Sequence, residues 1–149
     1  MKQTQESAAL SYALRKLAYA DITVTRLKKI LIAQKFSNEE IENTINYLTG
    51  QGYISDEKFA EHYINRCLHN AKKGPNAILA DLYKKGIPKE ISRKLVQELY
   101  TPEEEKIVMN KLIAALKDKK NKQKIIVSLM RRGFRISSIK EFANQIQHR

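Results

Sequence analysis

Cysteine is nearly missing: Cys67 stands alone, which rules out an intramolecular disulfide and points to a reducing, cytoplasmic setting. Glycine and proline are scarce too, five and three in 149 residues, so little of the chain is available for turns and the bulk is expected in regular elements. No apolar run approaches the roughly 18 residues of a membrane span, which excludes a membrane-spanning helix. The start, MKQTQESAAL, has no signal-peptide apolar core. Acidic side chains are outnumbered, 16 against 28 basic, leaving a net charge of +12.

That excess implies a partner that is either nucleic acid or an acidic protein surface, and by itself says nothing of fold. It is unevenly spread. Residues 101–149 carry 12 basic and 5 acidic side chains, against 7 and 5 in residues 1–54 and 9 and 6 in residues 55–100.

Catalytic patterns are absent as well. There is no GxxxxGK[ST] phosphate loop, no GxSxG elbow and no HExxH, and Gly50-Gln51-Gly52 is a turn rather than a dinucleotide fingerprint. His62, Cys67 and His69 fall on different faces of a helix, so no metal site is expected, and Cys67 is better placed as a small core residue. Asp56 and Glu57 are neighbouring first-turn residues without the desolvation that would separate two carboxyl pKa values. The sequence therefore predicts no enzyme activity and no cofactor.

What is present is a repeat. Three 26-residue segments align without gaps: TVTRLKKILIAQKFSNEEIENTINYL from Thr23, GPNAILADLYKKGIPKEISRKLVQEL from Gly74 and NKQKIIVSLMRRGFRISSIKEFANQI from Asn121. Apolar columns coincide at Leu27, Ile78 and Ile125; at Leu31, Leu82 and Leu129; at Phe36, Ile87 and Phe134; and at Leu48, Leu99 and Ile146. One column slips, with Ile41 and Ile139 in register and Ile91 a residue early. Each segment predicts two helices broken at the third column. Gly86 and Gly133 precede the break as left-handed stops, whereas the first copy has Lys35. Ser37 with Glu40 predicts a capping box, and Pro88 suits a first helical turn.

A further helix precedes each pair, over residues 6–19, 56–69 and 103–116. Their predicted core faces are Leu10, Leu14 and Leu17; Phe59, Tyr63, Ile64, Cys67 and Leu68; and Ile107, Leu112, Ile113 and Leu116. Ser55 is expected to cap the second, with Asp56 and Glu57 favoured in its first turn, and Thr101, Pro102 and Glu104 to open the third with a capping box. The fold class is thus all-α: three tandem three-helix, helix-turn-helix-like repeats, residues 1–54, 55–100 and 101–149, stacked into an elongated curved array. Residues 50–54 form the first joint.

Such units suggest DNA-reading helix-turn-helix modules. However, the helix that would read bases carries Glu39, Glu40 and Glu42 in the first unit and mixed charge in the second, and glutamates would be repelled by phosphates. Most Tyr and Phe sit in apolar columns, so no stacking platform for single strands emerges; Tyr12, Tyr19, Tyr53 and Tyr83 are the least core-like and suit the joints. Basic residues collect instead on and around the middle helix of each unit. They are Arg26, Lys28 and Lys29; Lys72, Lys73, Lys84 and Lys85; and Lys117, Lys119, Lys120, Lys122, Lys124, Arg131, Arg132 and Arg135. Lys84-Lys85 and Arg131-Arg132 end helices, where cations complement the dipole by about 0.3–1 kcal/mol each. The eight cations facing one Asp118 over residues 117–135 exceed that need.

The stretch GYISDEKFA resembles the GYLDDERFA signature of the RecX regulators. KKGPNAILADLYKKGI resembles that family's KGP…L..KGI stretch, and KIIVSLMRRGF its C-terminal L.RRGF. The motifs keep the family's order and spacing over nearly the whole chain. Departures are small: Ile54 for Leu, Ser55 for Asp, Lys58 for Arg, and no Gly at Lys35. The resemblance implies a non-enzymatic modulator of the RecA recombinase that binds in the groove of its filament on single-stranded DNA. It implies inhibition of ATPase, strand exchange and co-protease activity through limited filament growth or promoted disassembly, in the setting of homologous recombination, DNA repair and the SOS response. The basic residues named above would contact RecA or DNA, with weak nucleic-acid binding and a monomeric state expected. Reversal of Arg131 and Arg132 together is expected to weaken inhibition with helicity intact. A sequence-tolerant DNA-binding protein and a helical-repeat scaffold are the alternatives.

Overall fold

A computed structural model describes residues 2–147 of the chain, and the side chains of residues 8–145. Among the described residues there are nine helices and no strand: α1 (Lys2–Tyr19), α2 (Val24–Ala33), α3 (Asn38–Gly50), α4 (Asp56–Asn70), α5 (Pro75–Lys84), α6 (Lys89–Leu99), α7 (Pro102–Leu116), α8 (Lys122–Arg131) and α9 (Ile136–Gln147). Every extensive helix–helix contact lies within a consecutive triplet, so the all-α array of three-helix repeats expected from the alignment is the observed architecture. No helix among the described residues is long and apolar enough to cross a membrane.

Local chemistry starts these helices where their first turns need acceptors. Thr23, Ser37, Ser55, Thr101 and Asn121 each accept a hydrogen bond from the amide three residues on. At Ser37 the reciprocal bond from Glu40 completes the box; among the described residues Thr101 forms its half only. Pro88 sits one residue earlier than a first-turn proline, at the cap of α6.

The repeat columns are the core. Leu27, Ile78 and Ile125, and Leu31, Leu82 and Leu129, are all buried, as are Ile87, Phe134 and Leu48, with Phe36 and Leu99 half-buried. Ile146 lies outside the residues whose side chains are described. The column that slips in the sequence keeps its register in space. Its position is filled by Ser92, fully buried like its equivalents Ile41 and Ile139 in the other units, while Ile91 is half-buried beside it. The Ser92 hydroxyl finds no hydrogen-bond partner among the described residues. Ser92→Ala is therefore expected to stabilise the fold by about 1 kcal/mol, raising Tm by roughly 2–4 °C. A lowered melting temperature would mean that the hydroxyl is paired.

Two predicted core faces shift. In α1 the buried residues are Ala9 and Ala13, with Leu10, Tyr12 and Leu17 packed around them, and Leu14 is exposed. Alanines four apart allow α1 to lie close on α3, its most extensive neighbour, and that approach turns Leu14 outward. In α7 the face is Val108, Met109 and Leu112, together with a fully buried Glu105, and Ile107 points to solvent. The carboxylate draws the helix round by its bonds to α9.

Successive units meet through the same joint twice. Thr23 Oγ1 donates to the Lys85 carbonyl (3.3 Å) and Thr25 Oγ1 to that of Gly86 (3.1 Å). One unit further on, the Gly74 amide donates to the Arg132 carbonyl (2.8 Å) and the Asn76 amide to that of Gly133 (2.9 Å). Thr23 and Gly74, Thr25 and Asn76, Lys85 and Arg132, and Gly86 and Gly133 are aligned pairs in the repeat. The starts of α2 and α5 thus cap the ends of α5 and α8, with threonine hydroxyls donating to the exposed carbonyls at the first joint and backbone amides at the second. Both glycines are left-handed, at φ +82° and +86°, and have no room for a side chain. A Cβ would stand 2.5 Å from Thr25 Oγ1 at Gly86 and 2.6 Å from Ala77 Cβ at Gly133. Lys35 adopts the same left-handed geometry (φ 67°) at the end of α2 and is exposed.

Candidate functional site

The joint determines what the middle helices α2, α5 and α8 present together. Their buried columns face α3, α6 and α9, and because both joints link the same repeat positions, through hydroxyls at the first and amides at the second, the opposite sides continue from one unit into the next. At the first joint Arg26 and Lys29 of α2 and Lys84 and Lys85 of α5 line one crevice of about 280 Å³, with Asp21, Thr23, Thr25 and Phe59. A second crevice, about 380 Å³, runs along α8 between Lys120, Gln123, Lys124, Val127, Ser128 and Arg131.

Within this array the fifteen predicted basic residues divide by occupation. Four are committed to holding the structure. Lys73 Nζ binds Asp81 (2.6 Å) and lies 3.4 Å from the Tyr63 hydroxyl, which itself donates to Asp81 (2.5 Å). Lys85 Nζ sits over the Tyr63 and Phe59 rings, 5.2 and 5.7 Å from their centroids. Arg132 donates to Ser128 Oγ (3.2 Å) and, across the second joint, to the Lys72 carbonyl (3.3 Å). Arg135 donates to the Tyr100 carbonyl (3.1 Å) and pairs with Glu105 (3.5 Å).

Lys28 pairs loosely with Glu42 at 3.7 Å, both well exposed, an arrangement worth little in water. Arg26, Lys29, Lys72, Lys84, Lys117, Lys119, Lys120, Lys124 and Arg131 are exposed and Lys122 is half-buried. The side chains of these ten make no hydrogen bond, ion pair or ring contact among the described residues. They are the cations available to a partner. The sequence treats Arg131 and Arg132 as one pair, but among the described residues Arg131 alone of the two lacks a side-chain partner; reversing Arg132 would disturb the second joint as well. A charge test of the face therefore takes Arg131 with Lys124.

Several structural residues are invisible to spacing arguments. Asp56, expected only to suit a helix start, accepts from the Val24 amide (3.0 Å) and so latches unit two to the first turn of α2. Beside it, His62 Nδ1 lies 3.1 Å from Asp21 Oδ2, which spends the histidine on the same joint. Tyr100 is wholly buried, donating to the Lys73 carbonyl (2.8 Å). Burial, then the nearby Glu105, pushes its hydroxyl pKa up. Burial also raises Tyr63 and Cys67, leaving the thiol protonated and poorly nucleophilic. For Asp81 burial acts upward, yet the bonds from Lys73 and Tyr63 outweigh it and hold the carboxyl below its ordinary range. These groups lock α4 to α5 rather than poise a reaction.

Comparison with known proteins agrees with the motifs. The family described as RecX, second three-helix domain, matches residues 55–96. The protein called regulatory protein RecX from Chlorobium phaeobacteroides (strain BS1) is 27% identical over 148 residues, covering 98% of each chain. Its counterparts from Lactococcus lactis subsp. cremoris (strain SK11) and Leuconostoc mesenteroides are 29% and 31% identical, each over 85% of this chain. The chain spans about half the length of those two relatives, 51% and 49%. The crystal structure of RecX from Lactobacillus salivarius superimposes with a TM-score of 0.86 at 25% identity, over 99% of both chains. Three-helix units in the same order, the signature at their first joint and a superposition that runs from end to end place this chain in the RecX family of regulatory proteins.

Proposed function

We propose that this protein is a non-catalytic regulator that binds RecA filaments on single-stranded DNA along the outer sides of α2, α5 and α8. There it limits filament growth or promotes disassembly, lowering ATPase, strand exchange and co-protease activity. The observation that carries the reading is the repeated joint. It turns three short helices into one continuous side, on which Arg26, Lys29, Lys84, Lys122, Lys124 and Arg131 make no hydrogen bond, ion pair or ring contact among the described residues, a shape suited to a surface that itself repeats. The regulatory name shared by relatives supports the same reading.

Free cations also favour a second reading, a sequence-tolerant DNA-binding protein. ATP hydrolysis by the cognate RecA on single-stranded DNA separates the two, with this protein titrated in while much DNA remains free. Inhibition well below one molecule per RecA is expected; inhibition only when the protein is abundant enough to coat the DNA would favour plain DNA competition. Phosphate contacts would add a salt slope of about 0.7 log units per contact on single strands.

A further inference from the structure

Among the described residues the four apolar columns named above enter or border the core, and one further apolar column does not. Ile32, Tyr83 and Met130 occupy the same position in the three aligned segments, one before the last residue of each middle helix. None of them is buried: Ile32 is 59% and Met130 56% exposed, and Tyr83 is half-buried. Tyr83 is held within its own unit, its hydroxyl accepting from Arg93 Nε (3.0 Å) and its ring lying under Lys89, whereas the exposed Ile32 and Met130 are apolar without any demand from the core.

On α8 the column gains a neighbour. Val127, one turn before Met130, is 51% exposed and lies in the crevice with Lys120, Lys124 and Arg131. The helix is already anchored on its other side by Ile125 and Leu129. Its outer side therefore carries two adjacent apolar side chains framed by unpaired cations. A phosphate track uses the cations and gains nothing from the valine and methionine. A protein interface uses both kinds, with apolar side chains desolvated at the centre and charges at the rim. Methionine adapts readily to an imperfect notch.

We propose that the outer side of α8 is a protein-docking surface, on which Val127 and Met130 seat in apolar notches of an acidic protein while Lys120, Lys124 and Arg131 meet its carboxylates. The inference rests on the filament reading above and assigns this part of the face to the protein wall rather than to DNA. Ile32, exposed at the same position of α2, is the corresponding contact residue of the first unit.

The test combines Val127→Ser and Met130→Ser in the full chain, with helicity as a check on folding. Affinity is measured for RecA filaments and, separately, for bare single-stranded DNA, each at several salt concentrations. The double variant is expected to bind filaments at least about tenfold more weakly, with an unchanged salt slope and unchanged binding to bare DNA. Val127→Ile with Met130→Leu is expected to retain binding. Unchanged filament affinity of the serine variant would overturn the docking surface, and an equal loss on bare DNA would reassign it to nucleic acid. If the unmodified protein itself fails to bind filaments, the functional reading falls and this inference falls with it.

Discussion

Gly133→Ala is expected to destabilise the protein by about 3 kcal/mol, whereas Lys35→Gly, at the equivalent turn, stabilises it by up to about 1 kcal/mol. Both positions are left-handed, where a non-glycine residue carries a strain of roughly 1–2 kcal/mol. At Lys35 that strain is the whole difference, because the end of α2 is exposed and glycine would relieve it at some cost in unfolded-chain entropy. At Gly133 a methyl group must also enter the start of α5, where it would overlap the Ala77 amide nitrogen and Cβ. Overpacking of that kind adds roughly 1–3 kcal/mol, and backbone cannot swing aside as a long side chain does. The strain falls on the bonds of Gly74 and Asn76 to Arg132 and Gly133, so the units should separate before either melts. Urea unfolding with hydrogen exchange reads both effects. Equal midpoints for Gly133→Ala and the unmodified protein would show that the joint opens without cost.

Glu105→Ala should be comparably damaging, about 3–5 kcal/mol, or of order 10 °C in Tm. This carboxylate comes from the first turn of α7 yet is fully buried against the start of α9. It accepts from the Arg135 amide (3.0 Å), from the Ser138 hydroxyl and from the Arg135 guanidinium (3.5 Å). Arg135 occupies the capping position of α9, its carbonyl taking the Ile139 amide, and an arginine side chain has no acceptor for the exposed amides there. Glu105, from another helix, accepts from the Arg135 amide itself, the donor that a capping-box glutamate takes within one helix. Alanine would leave donors buried without a partner. Glu105→Gln keeps an acceptor and should lose less than half as much. Arg135→Ala should also lose less, since the guanidinium is 32% exposed and water can replace part of its role. Thermal unfolding of the three variants gives the order directly, and a loss below 1 kcal/mol for Glu105→Ala would refute the capping role.

The amino-acid sequence alone determined the helical class, the threefold repeat, its core columns and the caps at Ser37, Ser55 and Thr101. All of these depend on residues within a turn or two of one another, so spacing carries them. The three family motifs are legible for the same reason. Tertiary structure decided what joins distant positions. Ser92 fills the column Ile91 seemed to leave, and Ala9 and Ala13 rather than Leu14 face the core, because helix approach, not hydrophobicity alone, selects a buried face. It also decided that Lys73, Lys85, Arg132 and Arg135 serve the fold while the side chains of Arg131 and Lys124 have no partner among the described residues. Charge is a local property of a side chain, but its availability depends on which carbonyl, ring or carboxylate the packing of other helices brings within reach.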